Sequence, residues 1–121
     1  MMGLSPRALH SLDLSDEQQA RIEAILEQAR PAAQELRQQM GAAREDFLAS
    51  QTSGVFDEEQ ARSFAASQAG NVEQMMIAGL RTRSEVLSVL TAEQLAQLEE
   101  QREQRRERGQ KMRDCFQEGQ S

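Results

Sequence analysis

Three stretches of this chain carry the residues that start a helix. In each, an apolar residue precedes a capping side chain, and a glutamine follows the cap three positions later. The stretches are residues 14–18 (LSDEQ), 56–60 (FDEEQ) and 90–94 (LTAEQ). The cap accepts a hydrogen bond from a free N–H of the first turn, and the glutamine reaches back to the N–H of the cap. The pattern predicts helices that begin at Ser15, Asp57 and Thr91.

Apolar residues after Ser15 recur every three or four positions, which predicts a helix with one buried face. They are Ile22, Ile25, Ala29, Ala33, Leu36, Met40, Ala43 and Phe47. Pro31 lies inside this series, and proline removes one helical hydrogen bond and crowds the preceding turn. We therefore expect a break or kink near Arg30, with both pieces facing the same partner.

A long third helix is predicted from Asp57 to Val89, about 33 residues or roughly 50 Å at 1.5 Å per residue. Its expected apolar face is made of Ala61, Ala65, Ala69, Val72, Met76, Leu80, Leu87 and Leu90. A helix of this length in a small protein indicates a partner helix alongside it. The fourth helix starts at Thr91 and becomes highly charged after Leu98.

The expected fold is therefore all-α, with four helices in an elongated, hairpin-like protomer. Residues 1–13 contain Gly3, Ser5 and Pro6, which predict a flexible arm. Residues 14–108 form the predicted helical domain. Residues 109–121 form a predicted frayed tail that begins at Gly109.

Composition narrows the function classes. Apolar residues make up 38% of the 121 residues, with four Phe and no Trp or Tyr, so one protomer has little material for a core and self-association would complete its burial. The net charge of −6 disfavours nucleic acid as a partner, because that binding needs clustered cations. No apolar run approaches the roughly 20 residues of a membrane span. A signal peptide is either absent or already removed.

The sequence offers no catalytic arrangement, cofactor motif or metal cluster. The single histidine, His10, and the single cysteine, Cys115, lie in opposite terminal segments. A metal sensor needs several imidazoles or thiolates that converge, and no glycine-rich phosphate loop is present. We expect no enzyme activity, no cofactor and no metal site. Cys115 either cross-links two chains or stays free.

The two outer motifs resemble those of the Spy/CpxP family of bacterial periplasmic proteins, which carry paired L-T-x-x-Q sequences. Residues 90–94 match in full, and residues 14–18 have Ser15 in place of the threonine. The resemblance covers roughly residues 12–108. It implies a curved, cradle-like dimer in the periplasm that acts as an ATP-independent chaperone for unfolded or partly folded proteins. Alternatives within the same resemblance are a regulatory partner of an envelope-stress sensor kinase and a periplasmic metal sensor or resistance protein.

In this interpretation the motif residues are structural. They are Leu14, Ser15, Gln18, Asp57, Gln60, Leu90, Thr91 and Gln94. The candidate client-binding residues combine cations that recur every seven positions with adaptable apolar side chains. They are Arg30, Arg37, Met40, Arg44, Phe47, Met76 and Arg81, with Arg83 extending the patch. The competing interpretation is that the arginines are solvated, pairing with residues such as Glu27, while Met40 and Phe47 lie in the core.

Overall fold

The computed structural model describes residues 4–119, and these residues form four helices and no strand. The helices are α1 (Pro6–His10), α2 (Asp16–Ser50), α3 (Glu58–Val89) and α4 (Ala92–Glu118). The predicted all-α fold with a long α3 is confirmed. No helix in the described part of the chain has the length and apolar character that a membrane span requires.

Helices α2 and α3 form an antiparallel hairpin along most of their length. All members of the predicted apolar series of α2 are buried or half-buried, and they face α3; Gln18 and Leu26 are the other half-buried residues of this helix. In the outer half of the hairpin the Gln68 amide donates to the main-chain oxygen of Met40 at 3.2 Å. Further out, the rings of Phe47 and Phe64 stack with their centroids 4.3 Å apart. These contacts set which residues of α2 and α3 lie at the same level.

Helix α2 continues through Pro31 without interruption, so of the break or kink predicted near Arg30 the break is wrong, and the kink stays a prediction. The two helices expected before and after Arg30 are therefore one continuous helix. Pro31 lies on the exposed side of α2, where its ring takes no space from the contact with α3. The main-chain oxygen of Glu27, which loses its usual donor, belongs to an exposed residue that water can reach. Packing of the apolar series against α3 keeps the two halves in one helix.

The prediction of a flexible arm is wrong for the described residues before Ser15. Ser5 caps α1 by accepting a hydrogen bond from the Ala8 N–H at 3.1 Å. Pro6 occupies the first turn, where its missing N–H costs no helical hydrogen bond. Leu9 and Leu12 are buried, as are Leu4 and Ala8. The residues that were expected to prevent regular structure thus start a helix that belongs to the core. Gly3 and the two residues before it lie outside the described range.

The hydrophobic core lies at one end of the molecule, which we call the base. Here α1, the start of α2, the end of α3 and the start of α4 meet. Its buried members are Leu4, Ala8, Leu9, Leu12, Ile22, Val86, Val89, Leu90 and Leu98. Val86 is fully buried. The other end of the hairpin, which we call the tip, is residues 55–59; Val55 and Phe56 in it are 72% and 78% exposed.

Helix α4 continues through Gly109 to Glu118, so the predicted fraying of residues 109–118 is wrong as a description of their structure. This part of α4 is exposed and is supported by contacts one turn apart. The Gln110 amide donates to Asp114 at 3.1 Å and accepts from the Arg113 guanidinium at 3.2 Å. The division of the chain into a domain and a tail otherwise stays a prediction, and residues 120–121 lie outside the described range.

Candidate functional site

The two outer motifs form complete capping boxes. At the start of α2 the Gln18 N–H donates to Ser15 Oγ at 3.1 Å, and the Ser15 N–H donates to Gln18 Oε1 at 3.0 Å. At the start of α4 the Gln94 N–H donates to Thr91 Oγ1 at 3.2 Å, and the Thr91 N–H donates to Gln94 Oε1 at 3.0 Å. Each glutamine side chain is thereby fixed next to the end of its own helix. Leu90 is buried in the core, and Leu14 packs against it.

The side chains of Gln18 and Gln94 also bind each other, and we call this pair the glutamine clasp. Gln18 Nε2 donates to Gln94 Oε1 at 2.8 Å, and Gln94 Nε2 donates to Gln18 Oε1 at 3.2 Å. The remaining amide hydrogens reach the main-chain oxygens of Val89 at 3.1 Å and Leu12 at 3.5 Å. Each amide therefore makes two donor and two acceptor contacts, which is its full capacity for donors. The clasp joins the starts of α2 and α4.

Sequence reasoning missed the clasp because it treated each motif as a local helix start. A signal was available in the choice of residue. Glutamate also completes a capping box, but an ionised carboxylate only accepts, whereas an amide can both donate to and accept from a second amide. Glutamine at the third position after the cap in both motifs therefore fits a contact between the motifs.

The middle motif forms only half of a box. Asp57 Oδ1 accepts from the Gln60 N–H at 3.2 Å, as a cap does. The Gln60 side chain instead accepts a hydrogen bond from the Gln51 amide at 2.9 Å. The prediction that Gln60 reaches back to Asp57 is therefore wrong, because the loop that joins α2 to α3 brings Gln51 within reach.

Replacing Thr91 with alanine should lower the free energy of unfolding by about 1 kcal/mol, because it removes the hydroxyl that accepts from the Gln94 N–H. Urea denaturation of both proteins measures this difference. Gln60→Ala is a suitable comparison, since Gln60 makes only an exposed contact with Gln51, and its expected effect is within about 0.5 kcal/mol. Equal losses in the two variants would contradict the capping role of Thr91.

One side of the α2–α3 hairpin is both cationic and apolar. On α3 the residues that face α2 include Phe64, Met75 and Thr82, and the residue after each of them lies about 100° further around the helix. Those next residues include Met76 and Arg83. On α2 the residues that face α3 include Ala29, Leu36 and Ala43, and the residues that follow them are Arg30, Arg37 and Arg44.

The two series share one side of the hairpin. Both helices are right-handed and they run in opposite directions. In each helix, the residue that follows one facing the other helix therefore points to the same side of the hairpin. We call this side the amphiphilic face. Its members are Arg30, Arg37 and Arg44 from α2 and Ala65, Ala69, Val72, Met76 and Arg83 from α3, with Leu80 at its edge. From the contacts of Met40 with Gln68 and of Phe47 with Phe64, Arg37 lies near the level of Val72.

The structure brings most of the predicted client-binding residues together and separates others. Met76 is 47% exposed on the amphiphilic face. Met40 and Phe47 are half-buried in the contact between α2 and α3, as the competing interpretation expected. Arg30 pairs with Glu27 at 2.8 Å. Arg81 precedes a residue that faces α2, so it lies on the opposite side of α3 and does not extend the patch.

A second cationic surface was missed by the sequence analysis. A groove of about 800 Å³ separates α3 from α4 above the base. Its lining contains five arginines and Leu80. The residues are Leu80, Arg83, Arg102, Arg105, Arg106, Gly109 and Arg113. The sequence shows that α4 becomes highly charged after Leu98, and Arg102, Arg106 and Arg113 recur at helical spacing on one side of it. We call this surface the arginine groove.

The described residues hold no group of three or more His, Cys, Asp or Glu side chains placed to bind a metal ion. Cys115 is exposed and has no cysteine partner in the described chain. The expectations of no enzyme activity, no cofactor and no metal site stay predictions. The chemistry that the surface does offer is binding through guanidinium groups and exposed apolar side chains.

The fold and the clasp together define a class of protein, in which a long helical hairpin is closed at its base by two paired helix-start motifs. The model of the LTXXQ motif family matches residues 5–102. The chain belongs to this family, in agreement with the resemblance in its motifs. A search of curated protein sequences gave no significant match, and neither did a search of solved structures.

Proposed function

We propose that this protein is an ATP-independent chaperone that binds unfolded or partly folded proteins on its amphiphilic face. The observation that carries the proposal is the placement of Arg30, Arg37 and Arg44 beside Val72 and Met76 on one side of the hairpin. A soluble protein rarely leaves such a contiguous apolar strip exposed unless it meets a partner there.

The chemistry of this face suits many clients. Guanidinium groups attract acidic segments and speed their capture, while the unbranched Met76 side chain adapts to apolar groups of different shape. Among the described residues, Arg37 and Arg44 have no ion pair, so both are available to a client. Binding through exposed side chains of this kind is weak and reversible, which lets a client leave and fold.

The cations are concentrated in a protein that is acidic as a whole. The amphiphilic face and the arginine groove contain eight of the fourteen Lys and Arg residues, although the net charge is −6. The eight are Arg30, Arg37, Arg44, Arg83, Arg102, Arg105, Arg106 and Arg113. Acidic segments of a client are therefore attracted to these two surfaces and not to the acidic remainder.

We further propose that the protein is a dimer and acts in the periplasm. The periplasmic location is supported by membership of the LTXXQ motif family, because the resemblance of the motifs to those of Spy/CpxP proteins implies the periplasm. The dimer is supported by apolar side chains that the protomer leaves open on α3, among them Ile77 and Leu80, which are 50% and 49% exposed. Burying such side chains against a second copy contributes about 25 cal/mol per Å² of apolar surface.

The experiment that tests the proposal dilutes a chemically denatured client into buffer without ATP and follows its aggregation by light scattering. We expect suppression at near-stoichiometric amounts of the dimer, and the same result with a second, unrelated client. Substituting Arg37→Gln and Arg44→Gln together should weaken suppression several-fold, since the two cations of α2 on this face that have no ion pair are then lost. The matched control is Arg81→Gln with Arg108→Gln, which removes two exposed arginines elsewhere.

Failure to suppress aggregation of several clients would contradict chaperone activity. In that case one saturable complex with the sensory domain of a kinase would indicate the regulatory alternative. A stoichiometric thermal shift with zinc, nickel, cobalt or copper that a chelator abolishes would indicate metal sensing.

A further inference from the structure

The arginine groove has a strong positive charge that the protomer leaves largely uncompensated. Arg102 and Arg106 have weak ion pairs, at 3.8 Å to Glu99 and 3.5 Å to Glu103. Within residues 4–119, Arg83 and Arg105 have no ion pair at all. Guanidinium groups at this density favour a ligand with several carboxylates, which they can bind through paired N–H donors.

The groove also has an apolar side and room for a main chain. Leu80 is 49% exposed at its wall. Gly109 lies in its lining, and the position of a Cβ there would meet no atom within 4 Å. The ligand that fits this surface is therefore a peptide segment that carries apolar side chains next to acidic ones.

The tip of the same protein has that chemistry. Val55 and Phe56 are exposed, and Asp57, Glu58 and Glu59 follow them directly. Glu58 pairs with Arg62 at 2.8 Å, whereas no ion pair is formed by Glu59 within the described residues. The tip thus combines two apolar side chains without a partner and a cluster of negative charge.

A protomer cannot place its own tip in its own groove. Glu58 begins α3 and Arg83 lies near its other end, which separates them by roughly 38 Å along a straight helix. Two copies that run antiparallel bring each tip to the other's groove, so one two-fold arrangement satisfies both pairs of surfaces at once.

Four of the seven residues that line the groove follow residue 102, where the match to the family model ends. They are Arg105, Arg106, Gly109 and Arg113.

We propose that the arginine groove binds the tip, residues 55–59, of a second copy of this chain. The acidic residues of the tip contact the guanidinium groups of the groove, and Phe56 packs against Leu80. The proposal rests on the self-association put forward above and specifies the surfaces that form it.

Charge reversal tests the pairing through the dissociation constant of the dimer, measured by analytical ultracentrifugation. Arg83→Glu with Arg105→Glu should weaken the dimer at least about tenfold, because like charges then meet. Glu58→Arg with Glu59→Arg should weaken it similarly. Combining all four substitutions should restore association, since the charges are again complementary. The matched control is Arg81→Glu with Arg108→Glu, which changes the net charge equally outside the groove and should leave the dimer unchanged.

Each variant is first checked for an unchanged helical circular dichroism spectrum. A second measurement uses the wild-type protein alone, whose dimer should dissociate as salt rises from about 0.05 to 0.5 M, because salt screens exposed charges. A wild-type dimer that neither salt nor the reversals weaken would overturn the groove assignment and leave dimerisation intact. A wild-type protein that is monomeric at all concentrations would overturn both. Equal weakening by the control pair, or no recovery in the combined variant, would also overturn the assignment.

Discussion

Gln94→Ala should lower the free energy of unfolding by about 2–3 kcal/mol, more than loss of a single exposed hydrogen bond. The substitution removes the acceptor of the Thr91 N–H and both contacts with Gln18. It also leaves the main-chain oxygen of Leu12 without this donor. Each such bond contributes about 0.5–1.5 kcal/mol net, and polar groups left without partners add to the cost. Urea denaturation monitored by circular dichroism gives the value.

A double-mutant cycle separates the clasp from the local caps. Gln18→Ala should cost a similar amount, and the double variant should cost clearly less than the sum, because the first substitution already breaks the contact between the two amides. Gln94→Glu provides a second control, since a carboxylate still accepts from Thr91 but cannot donate to Gln18. Additive losses in the double variant would show that the two glutamines act only on their own helices.

Leu12→Ala should lower the free energy of unfolding by about 2–4 kcal/mol. Leu12 is 2% exposed and belongs to a core of few residues, so the cavity left by the deletion cannot be filled by neighbours that are already close-packed. Thermal or urea denaturation measures the loss. The reason the effect is large is that the segment before α2 covers the base.

The matched control for Leu12 is Val55→Ala, at an apolar residue that is 72% exposed at the tip. Its expected effect on the monomer is within about 0.5 kcal/mol. If Leu12→Ala were as mild as Val55→Ala, the segment before α2 would be detached from the core in solution.

The positions of the long helices could be predicted because capping chemistry is local. Ser15, Asp57 and Thr91 each cap the helix that the sequence assigned to them. The apolar series of α2 could also be predicted, since one face carries nearly all of its apolar residues. Pro31 misled the prediction because the cost of an internal proline is local, whereas the packing that outweighs it extends along the whole hairpin.

The orientation of α3 was harder to predict. Its apolar residues Val72 and Met76 were expected to share one face with Ala61 and Leu87. The structure separates them, because Ala61 and Leu87 are half-buried whereas Val72 and Met76 lie on the amphiphilic face and are 42% and 47% exposed. Gln68 and Asn71 instead lie toward α2, where the Gln68 amide reaches the main-chain oxygen of Met40. Hydrophobic periodicity ranks faces by composition, so it cannot recognise a polar face that is satisfied by hydrogen bonds or an apolar face kept open for a partner.

Contacts between segments distant in sequence were outside the reach of such patterns. The end of α3 and the start of α4 bury α1. Both are formed by residues far from residues 6–10 in the sequence. The arginine groove likewise arises only when Leu80 and Arg83 of α3 meet the arginines of α4. Spacing along α4 shows that these arginines share a side, but not what lies opposite them.

The central claim, that clients bind the amphiphilic face, is tested most directly by site-specific photo-crosslinking to a permanently unfolded client. One photoreactive residue replaces Val72 on the amphiphilic face, and another replaces Gln74, which is exposed about 160° away around α3. We expect strong client cross-links from position 72 and few from position 74, with no ATP present. Equal cross-linking from both positions, or cross-linking mainly from position 74, would contradict the assignment of the client-binding surface.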